Sequence, residues 1–229
     1  MPLTTAISLI NRAKTILQDT TSSGTRWPNA ELQDWLNDAQ KQVVLFRPDA
    51  KTVNEPFAPA LQSKQSLPAA ALQLIDVPRN LAGDKKAIRR QERAVLDDGV
   101  PDWHESTPTV NVELYVYDSR DPKTFYLWPV PASGASIEII YSSVPPIINL
   151  SAFDGSDTAV IGLDDTYATA LLDFVLYRAY SKDADYASNA HRAVGHYQAF
   201  GDSLGQKFHG EAVMRGRRRE NDGTPGSEL

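Results

Sequence analysis

Apolar positions recur at three- and four-residue steps at both ends of this chain and at two-residue steps in between. Over residues 4–19, Ile7, Ile10 and Leu17 share one helical face with Leu9, Ala13 and Ile16 beside it, while Arg12, Lys14 and Gln18 lie opposite. A polar loop, Thr20-Thr21-Ser22-Ser23-Gly24-Thr25, interrupts that helix. Trp27-Pro28 opens the next, with Pro28 at the first helical position, where its missing N–H would lack an intrahelical acceptor anyway. Leu32, Trp35, Leu36, Ala39, Val43 and Phe46 carry the stripe until Arg47-Pro48 stops it. A second pair of helices is predicted over residues 163–208. Asp164 and Asp165 suit the positive end of a helix over 164–181, which bears Tyr167, Leu171, Phe174 and Val175. After a break at Lys182-Asp183-Ala184-Asp185, the positions Ala187, Ala190, Val194, Tyr197, Gly201, Leu204 and Phe208 mark the last helix.

The middle of the chain reads differently. Prolines are frequent, and Val112, Leu114 and Val116 alternate with Glu113, Tyr115 and Tyr117. Turn signals at residues 117–122 and 131–134 separate three consecutive antiparallel strands, near 112–117, 124–130 and 136–142. Weaker strand signals cover residues 55–61, 65–67 and 72–77, and residues 87–97 suit either a strand or a short helix. The expected fold class is α+β. Residues 1–50 and 150–213 form a four-helix core from the N- and C-terminal helical hairpins, residues 51–149 a β-rich antiparallel insertion, and residues 214–229 a flexible C-terminal tail.

Composition narrows the chemistry. Of 229 residues 41% are apolar, enough for a sizeable core, and the absence of cysteine excludes disulfides, thiolate metal sites and cysteine nucleophiles. No apolar run reaches the ~20 residues of a membrane span, and no charged-then-apolar leader opens the chain, so a soluble, unexported protein is expected. The net charge of -6 argues against a general nucleic-acid coat.

Gly201-Asp202-Ser203-Leu204-Gly205 matches a serine-esterase string, but it lies inside a helical pattern with no strand before it. Close helix packing at small residues is the better reading. Among the histidines, His191 and His196 are five apart, on different sides of a helix, whereas zinc helices place ligands four apart; His104 and His209 are likewise read as solvated or hydrogen-bonded. Asp154-Gly155-Ser156-Asp157 lacks the later glycine and glutamate of a calcium loop and reads as a turn. No catalytic, cofactor-binding or metal site is assigned. Arg215, Arg217, Arg218 and Arg219 form the strongest charge cluster, suited to docking on an acidic protein surface or, alternatively, to nucleic acid.

Together these residues resemble a known family. Arg26-Trp27-Pro28-x-x-Glu31-Leu32-x-x-Trp35-Leu36-Asn37-x-Ala39-Gln40, closed by Arg47-Pro48-Asp49-Ala50, is similar to the opening of head-to-tail adaptor (connector) proteins of short-tailed bacteriophages. So are Phe125-Tyr126-Leu127-Trp128-Pro129, the run Ile137-Glu138-Ile139-Ile140-Tyr141, and the helix bearing Tyr167, Ala170-Leu171 and Tyr177-Arg178-Ala179. The resemblance implies a structural, non-enzymatic protein of the virion neck, made in the host cytoplasm. It would form a ring, usually of twelve copies, that binds the portal protein on one side and the downstream tail (nozzle) protein on the other, while genome DNA passes through the lumen. It also implies that the C-terminal segment reaches the portal, which makes Arg215, Arg217, Arg218 and Arg219 the candidate portal-binding residues. Two rival readings remain at this level: a nucleic-acid-binding virion protein acting through those arginines, and a serine hydrolase using Ser203.

Overall fold

A computed structural model describes residues 4–21, 24–183 and 187–221, with the side chains of 187 and 206–221 excepted. The chain divides into two compact units, Met1–Arg47 with Pro146–Leu229, and Pro48–Pro145.

The first unit is helical. Helix α1 (Ala6–Leu17) starts at Thr5, whose side chain accepts from the Ser8 N–H, and ends at Gln18 in the left-handed conformation. Helix α2 (Asn29–Phe46) follows Pro28, which stands at the N-cap, one place earlier than the sequence pattern suggests. The loop between them is held by one carboxylate. Asp19 is buried and accepts backbone N–H bonds from Thr25, Arg26 and Trp27 at 2.8–3.1 Å. Those bonds, first that of Thr25, hold its carboxyl well below the ordinary carboxylate range. Lys14, also buried, donates from Nζ to the Thr21 carbonyl at 2.7 Å and to Asn29 Oδ1 at 2.9 Å, so the loop is clamped from both signs of charge.

The chain returns to this unit at Pro146. The returning segment is pinned to α2 by amide side chains spaced three and four apart on one face of the helix: Leu150 N donates to Gln33 Oε1 at 2.8 Å, Ile148 N to Asn37 Oδ1 at 2.8 Å, and Gly162 N to Gln40 Oε1 at 2.6 Å. Gly162 is required there, because a Cβ would stand 2.7 Å from the Pro146 ring. The segment also bridges to the N-terminus, where Ala6 N donates to the Ala159 carbonyl and Thr4 N to Asp165 Oδ1.

A capped turn, with Asp164 accepting from Thr166 N, leads into helix α4 (Ala168–Lys182), numbered after the short helix α3 described below. Helix α4 touches α1, α2 and helix α5 (Ala187–Asn221). Leu171, Leu176 and Ala179 of α4 are fully shielded among them, and Trp27 Nε1 donates to the Ala179 carbonyl at 3.1 Å. Tyr180 stacks on His196 and Phe174 meets Phe200, which makes α4 and α5 an antiparallel pair. Helix α5 is 35 residues long, so residues 214–221, expected as tail, continue the helix; residues 222–229 lie outside the described residues. Once α4 has supplied a packed nucleus, each further turn costs little, and the arginines near its end suit the negative pole of the helix dipole. Ile16 and Phe46, both on predicted apolar stripes, are exposed.

The second unit is a β structure. Strands β1 (Thr52–Phe57), β7 (Ile137–Ser143) and β3 (Ala71–Asp76) form one antiparallel sheet in the order β1-β7-β3. Strands β2 (Lys64–Ser66), β6 (Thr124–Trp128), β5 (Leu114–Tyr117) and β4 (Arg89–Arg90) form the other, in which β4 runs parallel to β5. The pairing of β5 with β6 follows the sequence pattern, but β7 does not continue that meander. It crosses to lie between β1 and β3, because Ile137, Ile139 and Tyr141 fill the core between the two sheets opposite Phe125 and Leu127. The ambiguous stretch 87–97 contains both alternatives, β4 and then α3 (Arg93–Gly99).

Helix α3 explains a second departure. The alternation at 112–117 suggests one polar face, yet both are covered: Tyr115 enters the main core and donates its hydroxyl to Asp76 Oδ1 at 2.9 Å, while Val116, Tyr126 and Trp128 pack with Leu96 and Trp103. Burial pushes the Tyr115 hydroxyl pKa well above its ordinary value.

Two outcomes follow for the helical unit. Leu171→Ala removes a side chain with no exposure at the centre of the helices and is expected to cost about 2–5 kcal/mol, read as a lower Tm. Because the folded pKa of Asp19 is depressed, its contribution to stability is full above the unfolded value of about 3.9 and is lost as pH falls through the folded one. Asp19→Asn is expected to be less stable than the parent at pH 7, with the gap in Tm closing below about pH 4.

Candidate docking interface

Helix α5 contributes one face to α4, and among the described residues another face is partly exposed. On the covered face Ala193, Phe200 and Leu204 are buried. An aromatic series joins the two helices, from Tyr177–Tyr197 with centroids 5.0 Å apart to Phe174–Phe200 at 5.3 Å, and Phe200 also meets Phe46 of α2 edge-on at 6.1 Å. Beside them, Phe46, Arg47, Tyr197, Gly201 and Gly205, together with the edges of the buried Phe200 and Leu204, line a groove of about 410 Å³. The guanidinium of Arg47 is buried at its floor and donates from Nη1 to the Leu204 carbonyl at 3.3 Å.

Three residues of the esterase-like string, Gly201, Leu204 and Gly205, line this groove. Ser203 sits within α5, well inside the helix and with no preceding strand, so the sharp strand-to-helix turn that exposes a nucleophilic serine is missing. The reading of its glycines as internal packing is overturned. Among the described residues a Cβ at Gly201 or Gly205 would meet nothing within 4 Å. The remaining candidates resolve individually. His196 Nδ1 lies 2.9 Å from Asp173 Oδ1, and His104 stacks on Trp103 with Nδ1 3.2 Å from Ser63 Oγ. His191 is exposed, and the side chain of His209 lies outside the described residues. Asp157 accepts from Ser151 and Ala159, and Asp154 from Ser156, as in an ordinary turn. Among the described residues no group of His, Asp and Glu could hold a metal ion, and no helix is long and apolar enough to cross a membrane.

The backbone of Arg215, Arg217, Arg218 and Arg219 lies in the last turns of α5, and their side chains lie outside the described residues. By the rise of an α-helix, α5 spans about 52 Å and the 15-residue α4 about 22 Å, so the basic turns lie well beyond the reach of the helical pairing.

Residues 4–226 match the family described as SU10 adaptor protein. The chain belongs to the SU10 adaptor protein family. No curated protein matches it. Membership bears out the resemblance to bacteriophage head-to-tail adaptors and assigns the adaptor a structural role, which implies a non-enzymatic one. The exposed groove escaped the sequence pattern, because Phe46, Tyr197 and Gly201 sit on stripes that read as core. The two glycines four apart were the signal that could have found it.

Glycine in a helix interior is costly, and position 201 of the adaptor has room for a side chain. Gly201→Ala is therefore expected to raise the Tm, by a stabilisation of about 1 kcal/mol, in thermal melts of the dilute protein.

Proposed function

We propose that the adaptor assembles as a ring, of twelve copies, that joins the portal protein to the downstream tail (nozzle) protein in the neck of the virion, with genome DNA passing through its lumen. The supporting observation is α5: a 35-residue helix that outruns its partner helix and ends in Arg215, Arg217, Arg218 and Arg219, in a chain whose net charge is -6. A basic helix end that runs beyond its pairing with α4 is suited to an acidic surface on a partner. Charge-assisted bonds from guanidinium to carboxylate would then give it register as well as affinity. The acidic remainder suits a lumen through which DNA must slide, since negative walls repel the phosphate backbone and limit sticking. The same net charge disfavours the nucleic-acid-binding alternative.

Deleting residues 214–229 is expected to abolish co-sedimentation with portal rings while leaving the Tm and helical content of the remaining chain near those of the parent. Undiminished co-sedimentation would refute the assignment of portal contact to this segment. Duplex DNA affinity that falls steeply with salt, and is lost on the same deletion, would favour the nucleic-acid reading instead.

A further inference from the structure

The second face of the β5–β6 pair is covered by a strap, residues 92–106, which carries α3 and a single helical turn, Trp103–Glu105. The strap is thinly attached. Only Leu96 and Trp103 in it are buried, at 5% and 1% exposure, and they pack with Val116, Tyr126 and Trp128 of the strands. Its backbone bonds are its own: Val95 N donates to the Glu92 carbonyl, Val100 N to that of Leu96 and Trp103 N to that of Val100. The Trp103 indole also donates within the strap, to Asp97 Oδ1 at 2.9 Å. At the two ends, Gln91 N donates to the Tyr115 carbonyl and Ser106 Oγ accepts from Val130 N. Between those ends, among the described residues, one hydrogen bond ties the strap to the rest of the β unit, joining His104 Nδ1 and Ser63 Oγ at 3.2 Å.

Two further observations mark the cover as incomplete. A cleft of about 630 Å³ enters at the α3 end, between Glu92 and Arg93 of the strap and Val116, Thr124 and Tyr126 of the strands. Within the covered cluster, the Nε1–H of Trp128 is buried and has no acceptor among the described residues. A buried donor left unmet is a cost that the closed form carries and that contact with water removes.

We propose that the strap is a lid that opens while the rest of the β unit stays folded, uncovering the strand face formed by Val116, Tyr126 and Trp128. Its own bonds let it lift as a piece, since α3 and the Trp103–Asp97 contact need nothing from the strands. The core between the two sheets is a separate cluster, built on Phe125, Leu127, Ile137 and Ile139, and stays closed when the lid lifts. Local opening falls where few apolar contacts and few hydrogen bonds must break. His104 is the latch: it stacks on Trp103 with centroids 3.6 Å apart, meets Tyr126 edge-on at 5.5 Å and makes the bond to Ser63. The proposal does not rest on the ring or on the portal contact.

The chain has no cysteine, so a single introduced thiol reports on one place. In the full-length protein, Val116→Cys puts a thiol under the lid, at a site 4% exposed, and Val77→Cys puts one in the core between the sheets, at a site with no exposure. Each is labelled with an aromatic disulfide reagent under native conditions over a series of low urea concentrations, with and without His104→Ala. Val116→Cys is expected to react about a hundredfold faster than Val77→Cys, at a rate nearly independent of urea, because lifting the lid exposes little surface. His104→Ala is expected to speed labelling at position 116 about tenfold, the effect of losing a hydrogen bond and a ring contact, and to leave position 77 unchanged. Equal rates at the two positions, both rising steeply with urea, would show that the strap leaves only on unfolding and would overturn the proposal. Fast labelling at 116 that His104→Ala leaves unchanged would mean entry through the cleft with the lid closed, which overturns it as well. Hydrogen exchange of the parent chain checks the same opening without a thiol. The Trp103 amide is expected to exchange in a urea-insensitive manner and those of Ile139 and Tyr141 in a urea-dependent one; urea-dependent exchange at all three would refute the lid.

Discussion

The helical unit depends on the burial of α4. Leu171, Leu176 and Ala179 are shielded only when α1 and α2 from the beginning of the chain and α5 from its end are all in place. Helices separated by about a hundred residues of intervening chain must therefore meet, and the loss of backbone entropy in closing so long a loop grows only slowly with its length. What fixes the closure is not apolar contact alone. The returning segment 146–163 has backbone N–H groups to satisfy, and Gln33, Asn37 and Gln40 meet three of them from a single face of α2. A buried amide that lost its partner would be costly, so the same three side chains specify the register of the return.

The β unit obeys a different constraint. Its two sheets bury a shared core, and strand β7 completes the smaller of them by pairing with strands far upstream rather than with its predecessor. The four-stranded sheet is then covered on its second face by α3 and Trp103, whose indole N–H is satisfied by Asp97 at 2.9 Å. The result is a strand pair, β5 and β6, with little water on either face.

Helix α5 links fold to function. Its turns from Ala193 to Gly205 both enter the core, through Ala193, Phe200 and Leu204, and line the groove, and its last turns carry the arginines. Core packing, groove and basic residues thus lie on a single helix.

The sequence by itself determined the helical periods, the α+β class, the β5–β6 hairpin and the family, because these rest on local spacing and on motifs such as Arg26-Trp27-Pro28 that survive without knowledge of contacts. The helical context that argues against Ser203 as a nucleophile was also visible in it. Only the tertiary structure decided which apolar stripes were core and which were surface. Ile16, Phe46 and Tyr197 satisfy the same periodicity as Leu17, Val43 and Phe200, and differ only in whether another element arrives to cover them. The placement of β7, the burial of Tyr115 and the amide clasp on α2 were hidden for the same reason: each depends on a partner more than thirty residues away, and periodicity carries no information about which distant element that partner will be.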